Sequence, residues 1–228
     1  MKIATWNVNS LKVRLPHVLD WLATEQPDVL CLQETKLTDE NFPADDIRAA
    51  GYEVVFSGQK TYNGVATISR SAASDIVTDV MDLDDPQRRI LGATIDGVRV
   101  LNLYVVNGQE VGSEKYAHKL HWLEKVTDYI ATQLKDHEHF VVLGDFNIAP
   151  ADEDVHDPDA WHERILCSTP EREALGRMLE LGMKDTFRLF PQEEKSFSWW
   201  DYRAAAFRRN MGLRIDLILA SHALAGQC

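Results

Sequence analysis

Apolar and polar residues along this chain fall into short apolar blocks and period-two alternations, which predict many β-strands separated by a few amphipathic helices. Phe140-Val141-Val142-Leu143 has the β-branched and aromatic composition of a buried strand. It runs directly into Gly144, Asp145, Phe146 and Asn147. Strand side chains alternate between two faces, so Asp145 and Asn147 share the face of Val141 and Leu143. That face is apolar along its length and turns polar at its C-terminal tip. Gly144 leaves room for another backbone or a ligand to approach closely. A carboxylate and an amide at a strand tip suit an Asx-type turn, and equally a hydrolytic site that holds a water and a phosphate oxygen.

The pattern recurs along the chain. Residues 2–8 alternate, with Ile3, Thr5 and Asn7 on one face and Asn7 at the tip. Ser10 stands where an N-cap belongs for a helix from Leu11 to Glu25, with Leu11, Leu15, Val18, Leu19 and Leu22 as its apolar stripe. Pro16 marks an alternative start. Val29 to Leu32 predicts a second buried strand, and Glu34, with the parity of Leu30 and Leu32, places an acid at its tip. A helix follows from Phe42 to Ala50, closed by Gly51. Strands are expected at Tyr52–Phe56, Gly64–Arg70 and Ile76–Val80. Asp96-Gly97 joins Ile90–Ile95 to Val98–Val105 as a hairpin.

Ser113 opens a long helix to Leu134, carrying Leu120, Leu123, Val126, Ile130 and Leu134. His118 and His121 on it have metal-compatible spacing but no third ligand, and read as surface histidines. Asp152 to Glu163 is acidic, contains Pro158 and reads as a solvated loop. A helix is expected from Pro170 to Leu181, then strands at Phe197–Trp200 and, unbroken, at Leu213–Ala220. The latter holds Asp216 among apolar neighbours, where a buried acid must be paired or hydrogen-bonded. With β-helix-β units at the front and sequence-adjacent strands in the middle, the order favours a layered α/β (α+β) protein with mixed sheets.

Composition narrows the picture. At 228 residues and 45% hydrophobic, the chain can bury one substantial core, so residues 1–228 are expected to form a single domain. No apolar stretch approaches the roughly 20 residues of a membrane span, and the N-terminal residues lack a signal-peptide pattern. Cys31, Cys167 and Cys228 are scattered, as in a reduced cytoplasmic protein. A net charge of −12 excludes a sequence-independent nucleic-acid coat working by bulk attraction. A local basic strip survives that exclusion. Between Lys195 and Arg214, Lys195, Arg203, Arg208, Arg209 and Arg214 face one acid, Asp201, and are interleaved with Phe197, Trp199, Trp200, Tyr202 and Phe207. Cations among aromatic rings suit a phosphate backbone and an unstacked base or sugar.

Six motifs occur in register: Trp6-Asn7-Val8-Asn9-Ser10, Leu32-Gln33-Glu34-Thr35-Lys36, Tyr104-Val105-Val106-Asn107-Gly108, Gly144-Asp145-Phe146-Asn147, Ser198-Trp199-Trp200-Asp201-Tyr202-Arg203 and Gly212-Leu213-Arg214-Ile215-Asp216. In this order they resemble the exonuclease III family of apurinic/apyrimidinic endonucleases and 3′-exonucleases of DNA base-excision repair, from residue 2 to about 222. The resemblance implies a four-layer sandwich of two mixed sheets with helices outside, related to deoxyribonuclease I. It implies double-stranded DNA with abasic sites or 3′ ends as partner; no membrane partner is expected, and a monomer is the default expectation. Glu34 would ligate Mg²⁺ or Mn²⁺, with Asn7, Asp145 and Asn147 around the ion. Asp145 would orient and deprotonate the attacking water, and Asn147 would hold that water or a phosphate oxygen. Tyr104 would donate to the phosphate or sit ionised beside it, and Asn107 would contact a non-bridging oxygen. Trp199, Arg203 and Arg214 would wall the pocket for an extrahelical sugar, and Asp216 would pair with a family histidine.

Two departures from the family pattern bear on these expectations. Val106 replaces a usual proline. No Ser-Asp-His motif follows Asp216, so the final strand and its histidine are expected beyond residue 228, and a chain ending there would be nearly inactive. Two other functions fit the same motifs. One is a phosphatase or phosphodiesterase of the same superfamily with another substrate, such as an inositol phosphate or sphingomyelin. The other is a catalytically impaired binder of abasic DNA.

Overall fold

The structure is a computed structural model describing residues 1–80 and 82–228. In chain order its first half comprises β1 (Ile3–Asn7), α1 (Leu11–Glu25), β2 (Val29–Gln33), α2 (Ala44–Ala49), β3 (Glu53–Ser57), β4 (Val65–Ser69), β5 (Ser74–Val77), β6 (Ile90–Ile95) and β7 (Val98–Tyr104). The second half comprises α3 (Glu114–Asp136), β8 (Phe140–Asp145), α4 (Pro158–Trp161), α5 (Thr169–Glu180), β9 (Met183–Asp185), β10 (Trp199–Trp200), β11 (Gly212–Leu213), β12 (Asp216–Ser221) and α6 (His222–Ala225).

Parallel pairing of β1 with β2 requires a crossover, which α1 supplies. Antiparallel β4 and β3 complete a sheet of order β1-β2-β4-β3. The second sheet runs β5-β6-β7-β8-β12-β9, antiparallel throughout except for β7 with β8, which α3 connects. Both of these sheets are therefore mixed, while β10 and β11 pair antiparallel as a separate two-stranded ribbon.

Alternation along the strands sorts the apolar side chains into layers. Leu30 and Leu32 of β2 pack against Leu11, Val18 and Leu22 of α1 and Ile47 of α2. Val29 and Cys31 point the other way, onto Val100, Val141 and Leu143 of the second sheet. The far face of that sheet, with Leu101, Leu103 and Val142, is covered by Trp122, Leu123, Val126 and Ile130 of α3 and by Ala174, Leu175 and Met178 of α5. The result is helices, sheet, sheet, helices: the four-layer sandwich expected from the motifs. Between the sheets Asn102, fully buried, donates to the carbonyls of Leu32 at 3.1 Å and Ala66 at 2.9 Å and accepts from Gln33 at 2.8 Å. These satisfied polar contacts fix how one sheet sits on the other. At Gly144 (φ +137°) a Cβ would lie 1.9 Å from the Leu103 carbonyl, so the close approach expected there is made by the neighbouring strand.

Several local expectations need correcting. Ser10 precedes α1, but its side chain makes no cap bond. The helix start is instead tied to the segment after β2, through Ser10 N–H to Glu34 O at 2.8 Å and Leu11 N–H to Thr35 O at 3.0 Å. The helix runs through Pro16 without restarting. The expected strand at 213–220 is broken: Arg214 N–H turns to Asp154 O (2.9 Å) and Ile215 N–H to Ser198 Oγ (3.1 Å), leaving β11 and β12 on separate sheets. The acidic 152–163 stretch is not simply solvated. It contains a 3₁₀ turn and α4, and Asp154 is completely buried. On α3 the buried stripe includes Tyr116, Lys119 and Trp122, while Leu120 is only half-buried.

Candidate active site

Three strand ends meet at one rim of the inter-sheet layer. Asn7 and Asp145 arrive there by plain alternation, because each shares a face with residues packed between the sheets: Ile3 in β1, Val141 and Leu143 in β8. Glu34 arrives by another route. Leu30 and Leu32 face α1, and continuing their alternation would point Glu34 away from the other sheet. Instead β2 ends at Gln33, and Glu34 and Lys36 take left-handed backbone conformations, φ +54° and +56°. Such conformations cost a non-glycine residue free energy and persist where surrounding bonds hold them. Here Thr35 N–H donates to Gly64 O at 3.1 Å and Lys36 N–H to Asn63 O at 2.9 Å. Asn7 Nδ2 then donates to both acids, 2.9 Å to Glu34 Oε1 and 2.8 Å to Asp145 Oδ2.

The acids are not equivalent. Burial opposes ionisation of Glu34, but hydrogen bonds from Asn7 and Lys36, whose Nζ lies 2.9 Å from Oε2, hold its carboxyl below the usual range. Burial pushes Asp145 up to about 6, against the bonds from Asn7 and from Asn147 N–H (2.9 Å), with the Glu34 charge adding to the rise. Asp216 lies directly opposite Asp145 in the β8–β12 register. Its Oδ1 is buried and has no hydrogen-bond partner, and burial followed by the Asp145 charge raises its carboxyl well above the ordinary value. Tyr104, at the end of β7, is shifted upward by burial and by the charges of Glu34 and Asp145, which keeps it a neutral phenol. The Arg89 guanidinium lies over its ring, 4.5 Å from the centroid.

Asn107 and Asn147 sit on the loops after β7 and β8. Asn107 Nδ2 donates to Asn147 Oδ1 at 3.1 Å, and Asn147 Nδ2 to Val105 O at 3.0 Å, so Asn147 is tied at both ends of its amide. A cleft of about 640 Å³ contains Asn7, Glu34, Asp145 and Asp216, with Trp199, Tyr202 and Arg203 on its wall. A second cleft, about 670 Å³, shares Glu34 and is lined by Tyr104, Asn107 and Arg89. Arg203 is exposed and forked onto Asp201 at 2.8 and 3.0 Å, which holds that carboxyl down at about 2.

Arg214 is not at the cleft. It is buried, bound to Asp154 (Nε, 2.6 Å) and Asp185 (Nη2, 2.7 Å), with its guanidinium 4.7 Å from the Phe187 ring centroid. His118 and His121 lie at the surface beside Asp85 (3.5 Å) and Glu124 (3.7 Å). Sequence reasoning missed Lys36, Asn9 and Arg89, and placed Tyr202 only among the aromatics of the basic strip. Asn9 Nδ2 donates to Tyr202 Oη at 3.1 Å across the cleft, and both Asn9 and Lys36 stand inside motifs that drew attention only to their neighbours.

Glu34, Asp145 and Asp216 offer hard oxygen donors, and one of those oxygens is buried without a partner. That chemistry fits Mg²⁺ or Mn²⁺. Among the described residues, no three His, Cys, Asp or Glu side chains converge to enclose an ion.

Comparison with known proteins gives the family and supports the fold. Residues 4–227 match the Endonuclease/Exonuclease/phosphatase family. The chain is 37% identical over 243 residues to exodeoxyribonuclease III of Haemophilus influenzae, covering 100% of this chain and 90% of that protein. It superimposes with a TM-score of 0.97 on the 3′ phosphatase NExo of Neisseria bound to a product DNA hairpin, at 49% identity over 99% of this chain and 88% of that one. An AP endonuclease from Archaeoglobus fulgidus gives a TM-score of 0.95 at 39% identity, covering 99% and 88%.

Proposed function

The chain belongs to the Endonuclease/Exonuclease/phosphatase family, and we propose that it works there as a DNA-repair phosphodiesterase. It cleaves DNA 5′ to an abasic site and removes nucleotides or blocking groups from 3′ ends. The observation that carries this reading is the single Asn7 amide bridging Glu34 and Asp145 on the floor of a cleft walled by Trp199 and Tyr202.

Glu34, with Asp145 and the oxygen of Asn7 nearby, would hold a divalent cation, which when bound would supply positive charge to offset the negative charge growing on the phosphoryl oxygens. The chain's own groups do the rest. Asp145, buried and poised near neutrality, takes a proton from the attacking water. Tyr104 donates from a neutral hydroxyl, and Asn107 donates to a non-bridging oxygen. Asn147 acts mainly by fixing Asn107 and Asp145, since its side chain and N–H are bound to them. Trp199 and Tyr202 stack on the extruded sugar, which costs less to flip than a paired base. In this reading residues 1–228 form one domain of a monomeric, cytoplasmic enzyme.

The test is a duplex oligonucleotide with one tetrahydrofuran residue, incubated with Mg²⁺ and the full-length protein. Nicking 5′ to the residue, abolished by Asp145→Asn, is expected; cleavage that persists in Asp145→Asn overturns the assignment. The likeness to a 3′ phosphatase at 49% identity favours a second emphasis, on 3′-terminal phosphate removal rather than internal cleavage. A 3′-phosphorylated duplex turned over faster than the internal abasic site would establish it.

A further inference from the structure

Lys119 occupies a position where apolar residues surround it. It lies on the buried stripe of α3 between Tyr116 and Leu123 and is 0% exposed. Its ammonium has three hydrogens and three acceptors: Asn147 O at 2.7 Å, Asn107 O at 3.2 Å and the Glu171 carboxylate. Glu171, on α5 and also fully buried, further accepts Leu166 N–H (3.2 Å), Ser168 N–H (3.1 Å) and Ser168 Oγ–H (2.6 Å). The network is closed and charge-balanced. Its outward end is two backbone carbonyls, one on the loop after β7 and one on the loop after β8.

Those loops carry Asn107, which lines the second cleft, and Asn147, which is buried and accepts the Asn107 amide. Asn147 has φ +49°, a conformation that its own contacts must maintain. Gly108, beside Asn107, has φ +89°, and a Cβ there would lie 3.1 Å from Lys119 Cδ, so the first loop rests directly on the lysine stem. A buried ion pair is a poor source of stability, and apolar residues of similar volume often replace one without loss. Two carbonyl bonds donated from one fixed point are what an apolar residue cannot supply.

We propose that Lys119 is a positioning residue: anchored by Glu171, it sets the separation and orientation of the loops bearing Asn107 and Asn147. What the asparagines then do rests on the nuclease reading above; what holds them rests on this network alone. Misplacing reacting groups by about 1 Å can cost on the order of 100-fold in rate, so loss of the clamp lowers kcat.

The experiment compares wild type, Lys119→Met and Lys119→Met/Glu171→Gln in the full-length protein, by unfolding midpoint and by kinetics on the tetrahydrofuran duplex. Lys119→Met leaves a buried carboxylate without its cation, and the second change relieves that. The double variant is expected to recover much of the lost midpoint while kcat stays down about tenfold or more in both, with KM little changed. Recovery of kcat together with the midpoint, or full kcat in Lys119→Met, overturns the proposal. A third readout does not depend on the substrate: the side-chain amide protons of the buried Asn147, followed by NMR, should lose their protection from exchange in both variants. Should wild type leave DNA uncut, the nuclease reading fails, and these amide protons still decide the clamp. Unchanged protection in the folded double variant overturns it.

Discussion

The molecule contains two clusters of buried acids that look alike in composition and differ in charge balance. In one, Asp154 and Asp185 share Arg214, Asp154 also binds Arg188, and both guanidinium groups lie over the Phe187 ring. There the two inner acids meet two cations at hydrogen-bonding distance, and Glu153, exposed at the rim, also reaches Arg188 at 3.2 Å. In the other, Glu34, Asp145 and Asp216 gather at a cleft beside one ammonium, Lys36, and one carboxylate oxygen has no partner at all. Taking charges out of water is costly unless they are paired. The balanced cluster fastens the 152–154 turn, the β9 end and the β11–β12 connection to one another. The unbalanced cluster retains negative charge at the mouth of a cleft, where a cation and a phosphate can use it. Compensation, more than residue type, separates an acid that builds the fold from one available for chemistry.

Substitutions should push the two clusters in opposite directions. Asp145→Asn is expected to lower the nicking rate about 1000-fold, within the usual range for loss of a positioned base, without lowering the thermal midpoint of the metal-free protein, since it removes a repelling charge. Arg214→Met should do the reverse. Leaving Asp154 and Asp185 buried without their shared cation should cost about 3–5 kcal/mol in urea unfolding, with little change in the rate per folded molecule. A large loss of activity at unchanged stability in Arg214→Met would erase the distinction.

The pH dependence of stability sharpens it further. Asp145 titrates at about 6 in the folded protein against 3.8 ordinarily, so the folded state binds the proton more tightly than the unfolded chain does. Its contribution is full below about pH 4 and is lost as pH rises through 6. Metal-free stability should therefore fall across that interval, Asp216 acting in the same direction, measured by denaturant unfolding, and the fall should shrink in Asp145→Asn. Trp199→Ala, on the cleft wall, should have the smallest effect, about tenfold in kcat/KM on abasic duplex, in line with the loss of one aromatic stacking partner.

The fold was largely legible because it depends on local pattern. The apolar runs Val29–Leu32 and Phe140–Leu143, and the Asp96-Gly97 turn, locate strands without knowledge of their partners. The strand-tip idea was sound for Asn7 and Asp145, which follow their strands' faces. It reached Glu34 for the wrong reason, since the left-handed turn after Gln33, not parity, brings the carboxylate to Asn7. Arg214 stood among cations and aromatics, but its partners Asp154 and Asp185 lie 60 and 29 residues away, and nothing local reveals them. The same distance hid the burial of Asp154 in what looked like a solvated acidic loop. Lys119 did leave a local trace, a lysine at a buried position of the α3 stripe, which the listing of leucines and isoleucines passed over.

The central claim is that Asn7, Glu34 and Asp145 form one cation-dependent centre for phosphodiester hydrolysis. Nicking of the tetrahydrofuran duplex measured against Mg²⁺ concentration, in wild type and in Glu34→Gln, tests it most directly. If Glu34 ligates the cation as proposed, Glu34→Gln should need at least about tenfold more Mg²⁺ for half-maximal cleavage, with its residual activity still dependent on Asp145. Superimposable Mg²⁺ curves for the two proteins would contradict it.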